Sequence, residues 1–301
     1  MDPVSVLAGT VADQEADSAA VRAATAAHPR FLVSAATGYG SPLSRATEPT
    51  ADDLGAIVAA LVSEAHAGDA TPVVLHCPAD DPLLSALAAA EFTIGVTDLY
   101  PTLQLPGAGL DDYLAALPRG RRSAVRRELR AGASGTAEIY VGETARPHLA
   151  AAARLSAHAY RQRGQPADDD RARPIYRRLL DECGDDFALT LVSDGSGPVA
   201  SACLVAGKTD LLLYSAGLEL PRSQAVAGYF NAAYYLPIEF AYQRGLRRIL
   251  LGPTGWHTKR LRGARFTPLC SAVPTAAAEL AALLTATDQR LRATLGQLNG
   301  S

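Results

Sequence analysis

Three consecutive runs, Phe187 to Val192, Pro198 to Ala206 and Asp210 to Ser215, constrain this chain more than any other feature of its sequence. Each is short and rich in apolar or β-branched residues. Their connections, SDGSG (193–197) and GKTD (207–210), carry the Asp-Gly and Gly signals of tight hairpins. An antiparallel meander follows from that pattern. A helix is predicted next, over Val226 to Gln243, with Gly245 suited to its C-cap and Pro237 expected to kink it. Arg247 to Leu251 then reads as a short buried strand. Few folds run meander, helix and strand in that order.

The first half reads differently. An Ala-rich, acidic segment up to about residue 30 suits one helix and Phe31 to Ala35 suits a strand, followed by the Gly, Pro and Ser-rich loop GYGSPLSRATEPT (38–50). Thr50 or Asp52 can cap a helix from about Asp53 to Ala67, whose Leu54, Ile57, Val58, Leu61 and Val62 recur at helical spacing. Strands are predicted at Pro72 to Cys77, Phe92 to Val96 and Tyr100 to Leu105, with a helix over Asp81 to Ala90. This alternation indicates an α/β domain without a catalytic motif. At 301 residues and 48% hydrophobic content, the chain can hold two such domains. No long apolar run suggests a membrane span, and the first residues lack the basic and apolar regions of a signal peptide, so the cytoplasm is the expected location.

A short amphipathic helix at Leu110 to Leu117 stops at Pro118, and six arginines follow within the next twelve residues. Arg119, Arg122, Arg126 and Arg130 are spaced i, i+3, i+7 and i+11, which puts them on one helical stripe. Glu128 is the single acid among them, so the stripe needs counter-charge from solvent, from the other domain or from a ligand phosphate. Gly132 and Gly135 end this helix; a strand at Ala137 to Val141 and helices at Arg146 to Arg163 and Ile175 to Cys183 lead to the meander. Asp168, Asp169 and Asp170 do not converge as metal ligands must, and no metal is expected. The four cysteines show no CxxC spacing and read as buried thiols.

After the last strand the chain turns polar. Gly252 to Lys259 (GPTGWHTK) gathers the only Trp, a histidine and one of two lysines. His257 is a candidate for proton transfer, because imidazole titrates near neutrality, or simply a hydrogen-bonding group of the loop. Trp256 can stack on a substrate ring or plug a core. Lys259, a candidate catalytic residue, and Arg262 can bind donor phosphate or the charge of a reaction intermediate, and Arg260 can bind phosphate, or the three form a solvated basic loop. Tyr234, Tyr235 and Glu239 on the preceding helix suit a pocket wall or ordinary packing.

With these residues in place, the second half resembles the GNAT superfamily, and within it the FemAB-like and BioF2-like acyltransferases. RGRRSAVRREL (119–129) looks like the family's basic segment, the meander at 187–215 like its central strands, and YYLPIEFAYQRGLRRILLG (234–252) like its helix-Gly-strand signature. The resemblance implies an α/β (α+β) fold of two tandem GNAT-like domains, each a mixed, largely antiparallel central sheet flanked by helices. Residues 1–108 would form a degenerate first domain and 109–301 the acyltransferase domain. It also implies an oxyanion donor near Tyr214 to Gly217, with Tyr214 a candidate catalytic residue and Ser215 a substrate contact. Two departures stand out. Related acyltransferases carry a Gly-Glu-His-Lys run, where this chain has Gly255-Trp256-His257-Thr258-Lys259. The coenzyme A loop of simple GNAT enzymes, R/Q-x-x-G-x-G/A, is matched only by Arg222 to Ala227, with Ala225 at the middle glycine.

The family reaction is acyl transfer to an amine, whose barrier is a charged tetrahedral intermediate. The resemblance and the arginines favour aminoacyl-tRNA as co-substrate, its acceptor end meeting Arg119, Arg122, Arg126, Arg130, Arg222, Arg260 and Arg262, and a small-molecule amine as acceptor. No tightly bound cofactor is expected, and direct attack by the amine is preferred to a covalent acyl-enzyme. An acyl-CoA-dependent N-acyltransferase is the alternative, and a noncatalytic binding module that kept the fold is a third.

Overall fold

The computed structural model describes residues 3–7, 18–35, 49–162, 164, 167–252 and 255–299. Its strands are β1 (Phe31–Ala35), β2 (Thr71–Pro78), β3 (Phe92–Gln104), β4 (Thr136–Val141), β5 (Phe187–Asp194), β6 (Gly197–Ala206), β7 (Asp210–Leu218), β8 (Arg248–Leu250) and β9 (Arg265–Pro274). Contacts divide the chain into two compact units. The first takes the described residues of 1–101, 253–257 and 265–301; the second takes 102–252 and 258–264. The sequence placed a single boundary at 108/109 and ran the second domain to the end of the chain. In the structure the last segment packs with the first unit, because β9 pairs antiparallel with β2 and the helix Ala278–Asn299 buries Leu280 and Leu284 against Val73, Leu75 and Val273.

In the first unit the strand order is β1-β2-β9-β3, with β1 parallel to β2. The helix Ala51–Ala67 connects β1 to β2. Its capping box is the expected one, with Thr50 Oγ1 accepting from Asp53 N (3.2 Å) and Asp53 accepting from Thr50 N (2.9 Å). The helix expected from Asp81 spans Leu83–Ala89, and Asp81 accepts from Leu83 N at its start. The two strands expected at 92–96 and 100–105 are one strand. Thr97 and Asp98, which break the apolar pattern, are buried with partners: Thr97 bonds Ser271 (2.6 Å), and Asp98 accepts from Leu99 N. Most of the predicted loop at 38–50 lies outside the described residues.

In the second unit the end of β3 pairs antiparallel with β8, β8 runs parallel to β7, and β7, β6, β5 and β4 form the predicted meander and its extension. Both faces of the meander are covered. Phe187, Leu189, Leu191 and Cys203 pack under Leu155, Tyr176 and Leu180 on one side; Val192, Val199 and Ala200 meet Val226 and Ala232 on the other. That double burial explains why β5 reads as an unbroken apolar run. Its buried hydroxyl, Thr190, donates to Ala232 O (2.8 Å) and accepts from Ala202 N (3.0 Å).

The helix predicted over 226–243 starts later. Ala227 is left-handed (φ 45°), a helical turn runs Gly228–Phe230, a π-helical segment Asn231–Tyr235, and an α-helix Leu236–Gln243. Pro237 has no N–H to return to the preceding turn, and the wider π-turn lies directly ahead of it. The end is as predicted. Gly245 has φ 69°, its N–H reaches Tyr242 O (3.0 Å) and Leu246 N reaches Ala241 O (2.8 Å), the pattern of a Schellman motif. The long helix expected from Arg146 opens instead as a 3-10 turn (Gly142–His148) containing Pro147 and is α-helical over Leu149–Gln162. All four cysteines are free thiols; Cys77, Cys203 and Cys270 are buried.

Candidate active site

The second unit contains a cavity of about 570 Å³, bounded by the helix Arg119–Gly132 and by the connection from β7 to Gly228. Two local devices bring these elements together. A Cβ on Gly132 would lie 2.5 Å from Asn231 Nδ2, so only glycine admits that side chain, which donates to Ala227 O (3.0 Å) and to Glu128 O (3.2 Å). Ser223 Oγ accepts from Tyr229 N (3.1 Å) and fixes the start of the following helix. The lining is then Arg127, Glu128 and Ala131 from the arginine helix, Leu218 and Leu220 from the end of β7 and beyond, and Ser223, Gln224, Ala227, Tyr229 and Phe230 from the connection. On its β8 side, β7 has strand partners only through Leu212 among the described pairings.

Glu128 anchors the wall. Arg262 Nη2 donates to both of its oxygens (2.9 and 2.8 Å), and Tyr235 OH donates to Oε2. Arg262 is buried, at 4% exposure. Its guanidinium lies 3.6 Å from the Phe230 ring centroid and 5.1 Å from that of Tyr234, and Nη1 donates to Thr258 O (3.0 Å). Burial opposes the charge on Arg262, but Tyr235 and Glu128 outweigh it and hold the guanidinium protonated, with a net upward shift. The Tyr235 phenol is also pushed up, by burial first and by its bond to Glu128 second. A carboxylate is thus fixed at the cavity by a cation and a phenol, both of which stay protonated at neutral pH.

The residues proposed from the sequence fall in different places. Arg262 and Tyr235 meet at Glu128, and Tyr234 lies beside the Arg262 guanidinium. Arg222 does not present a free charge: it donates to Asp194 (2.6 and 3.0 Å) and to Glu219 (3.2 Å), and its bond holds the Asp194 carboxyl below its ordinary range. Arg122 donates to Ala115 O and Leu117 O, closing the C-terminus of the preceding helix. Arg119, Arg126 and Arg130 are exposed, and Arg260 is half-buried. Lys259 is buried and donates to Gly252 O (2.6 Å), so its ammonium ties the loop. Tyr214 is exposed on β7, Ser215 bonds Tyr176 OH (2.7 Å), and Glu239 is half-buried with its carboxyl pushed up by burial. Trp256 packs edge-on to Phe266 and, with the exposed His257, clusters with the first unit. Glu128, Tyr229, Phe230 and Ser223 went unrecognised as site residues. Glu128 left one signal, a lone acid in a run of arginines; the others left none beyond their place beside Gly228.

A meander, a parallel β7–β8 pair that shares only three positions, and a helix bridging the two define the GNAT class of fold. The chain belongs to the FemAB-like family, described as peptidoglycan biosynthesis/recognition, whose model matches residues 52–297, and with that family to the acyltransferases. Solved structures agree on the fold. The C-terminal domain (DUF2156) of a lysylphosphatidylglycerol synthetase candidate from Agrobacterium fabrum is similar with a TM-score of 0.61 at 13% identity, over 86% of this chain and 82% of that one. L-PGS from Bacillus licheniformis is similar at 0.56 and 11% identity, over 85% and 83%, and FemX at 0.56 and 12%, over 74% and 77%. No match is found among curated proteins.

Proposed function

We propose that this chain transfers an aminoacyl group from aminoacyl-tRNA to the amine of a small-molecule acceptor, in the cytoplasm where charged tRNA is made. The observation that carries this reading is the arginine helix. The side chains of Arg119, Arg121, Arg126, Arg127 and Arg130 are exposed and make no ion pair or hydrogen bond among the described residues, while the same helix turns Glu128 and Ala131 to the cavity. Unpaired guanidinium groups beside a cavity suit a phosphate backbone whose reactive end enters it. Membership of the FemAB-like family supports the same donor, and its description admits a cell-wall precursor as acceptor. Coenzyme A is the weaker choice, since Arg222 is neutralised by Asp194 and Glu219.

In the reaction, the acceptor's neutral amine nitrogen bonds to the ester carbonyl carbon, the carbonyl–ribose C–O bond breaks, and the amine's proton ends on the released ribose oxygen. No covalent acyl-enzyme is required. The edge of β7 beyond Leu212, without a strand partner on its β8 side among the described residues, suits a backbone donor to the oxyanion. Filter binding of charged tRNA at several salt concentrations tests the donor, with a log–log slope of about −0.7 to −0.9 per phosphate contact expected. Absence of tRNA binding at low salt, together with absence of RNase-sensitive transfer, rejects it. Calorimetry with coenzyme A tests the alternative carrier. A product formed from any donor and amine rejects the binding-module reading.

A further inference from the structure

Resting on the aminoacyl-tRNA reading, we infer that the cavity is the aminoacyl subsite: Glu128 receives the α-ammonium of the ester-linked amino acid, and the apolar walls select a large, uncharged side chain. The lining is chemically lopsided. Leu218, Leu220, Ala131, Ala227 and Phe230 supply hydrocarbon, and the charged members are Glu128 and the exposed Arg127. Leu220 is 41% exposed, so a large apolar side chain stands at the opening, where an apolar ligand would cover it. A volume of about 570 Å³ lies within the roughly 300–1,000 Å³ of small-molecule sites, which leaves room for a bulky side chain and part of the terminal nucleoside.

An esterified amino acid has lost its carboxylate and keeps one positive charge next to the reacting carbonyl. The complementary wall group is a fixed acceptor, and Glu128 is held as one. Its Oε2 takes bonds from Arg262 and Tyr235, whereas among the described residues Oε1 takes only that from Arg262, leaving a lone pair for an ammonium N–H. Arg262 and Tyr235 are themselves buried, so the carboxylate cannot swing away to solvent without exposing them to an unpaired state. A lysyl or arginyl side chain would find no second acid among the lining residues. An aspartyl or glutamyl side chain would have to enter past Glu128. Arg127, at the rim of the same helix, stays available for the 3′-terminal phosphates.

The test uses non-hydrolysable 3′-aminoacylamino-3′-deoxyadenosines carrying Phe, Leu, Asp, Lys or N-acetyl-Phe, titrated by calorimetry into the full chain. The Phe and Leu compounds are expected to bind at least tenfold more tightly than the Asp and Lys compounds, and N-acetylation is expected to cost at least tenfold. Ala131→Phe, which fills the cavity from the helix, is expected to remove the preference. If that variant does not fold, slowed hydrogen exchange of the 218–230 peptides in the wild type on adding the Phe compound serves the same purpose. Equal affinities across the five compounds, or undiminished binding of the N-acetyl form, overturn the inference. Binding of uncharged tRNA with no binding of any analogue overturns it while leaving the tRNA reading intact, and failure of both removes the two together.

Discussion

Replacing Arg262 by methionine isolates the interaction that fixes the cavity wall. Methionine keeps much of the aliphatic volume and removes the charge. Glu128, whose side chain is 19% exposed, would then keep Tyr235 as its one remaining side-chain donor, and Phe230 would lose the cation stacked 3.6 Å from its ring centroid. Breaking a buried pair from one side costs about 3–5 kcal/mol, because the surviving charge stays buried without compensation. The double replacement Glu128→Met/Arg262→Met removes that charge too, and leaves mainly the Tyr235 hydroxyl without its acceptor, a cost of about 1–3 kcal/mol. The double variant is therefore expected to be more stable than Arg262→Met alone by about 2 kcal/mol. Hydrogen exchange is the suitable assay, since the single tryptophan, Trp256, clusters with the first unit and does not report on the second. Amides of 119–132 and 228–243 should exchange about a hundredfold to a few thousandfold faster in the single variant and recover partly in the double. A double variant no more stable than Arg262→Met, or a single variant within about 0.5 kcal/mol of wild type, would refute the assignment of Glu128–Arg262 as the anchor.

Three further outcomes are expected. His76 is buried and its pKa is pulled down to about 4 from 6.5 by burial. The unfolded chain thus takes the proton first as pH falls: stability is complete above 6.5 and declines toward pH 4 by about 3 kcal/mol at most, a slope that urea titrations should lose in His76→Asn, a residue tolerated at φ 56°. Gly217→Ala places a Cβ 2.8 Å from Leu155 O and closer still to Ser156 N, so a cost of about 1–3 kcal/mol should appear in its melting temperature; an unchanged melting temperature would contradict the tight packing there. Replacing Arg119, Arg126 and Arg130 together by glutamine should leave stability within about 0.5 kcal/mol and flatten the salt dependence of tRNA binding by about 2 in slope.

What could be read from the sequence was local. The meander, the Thr50 capping box and the Gly245 termination depend on neighbours a few residues away, and the residues themselves state the geometry. The site depends on partners far apart in the chain. Glu128 and Arg262 are 134 positions apart, and nothing near either names the other. Arg222 misled in part for the same reason, since one of the two acids that neutralise it, Asp194, lies in a hairpin 28 positions earlier, while the other, Glu219, is only three positions away. Thr97 and Asp98 looked like a strand break because polar residues interrupted an apolar run, yet Ser271, 174 positions on from Thr97, makes that interruption compatible with burial. The arginine helix was read correctly as a stripe, but Arg122 is spent on the helix before it, which periodicity cannot reveal.

The pairing of β2 with β9 has a consequence for how the protein is made. His76 of β2 and Ser271 of β9 are joined by a hydrogen bond spanning 195 positions. While the ribosome works through that interval, β2 has been synthesised but its antiparallel neighbour has not, and its edge stands open to other strands. The meander, by contrast, has all its hairpin partners close behind it and can close as it emerges. Production of this protein should therefore depend on keeping the early segment soluble during translation, and added chaperone capacity should raise its yield more than any change within the meander.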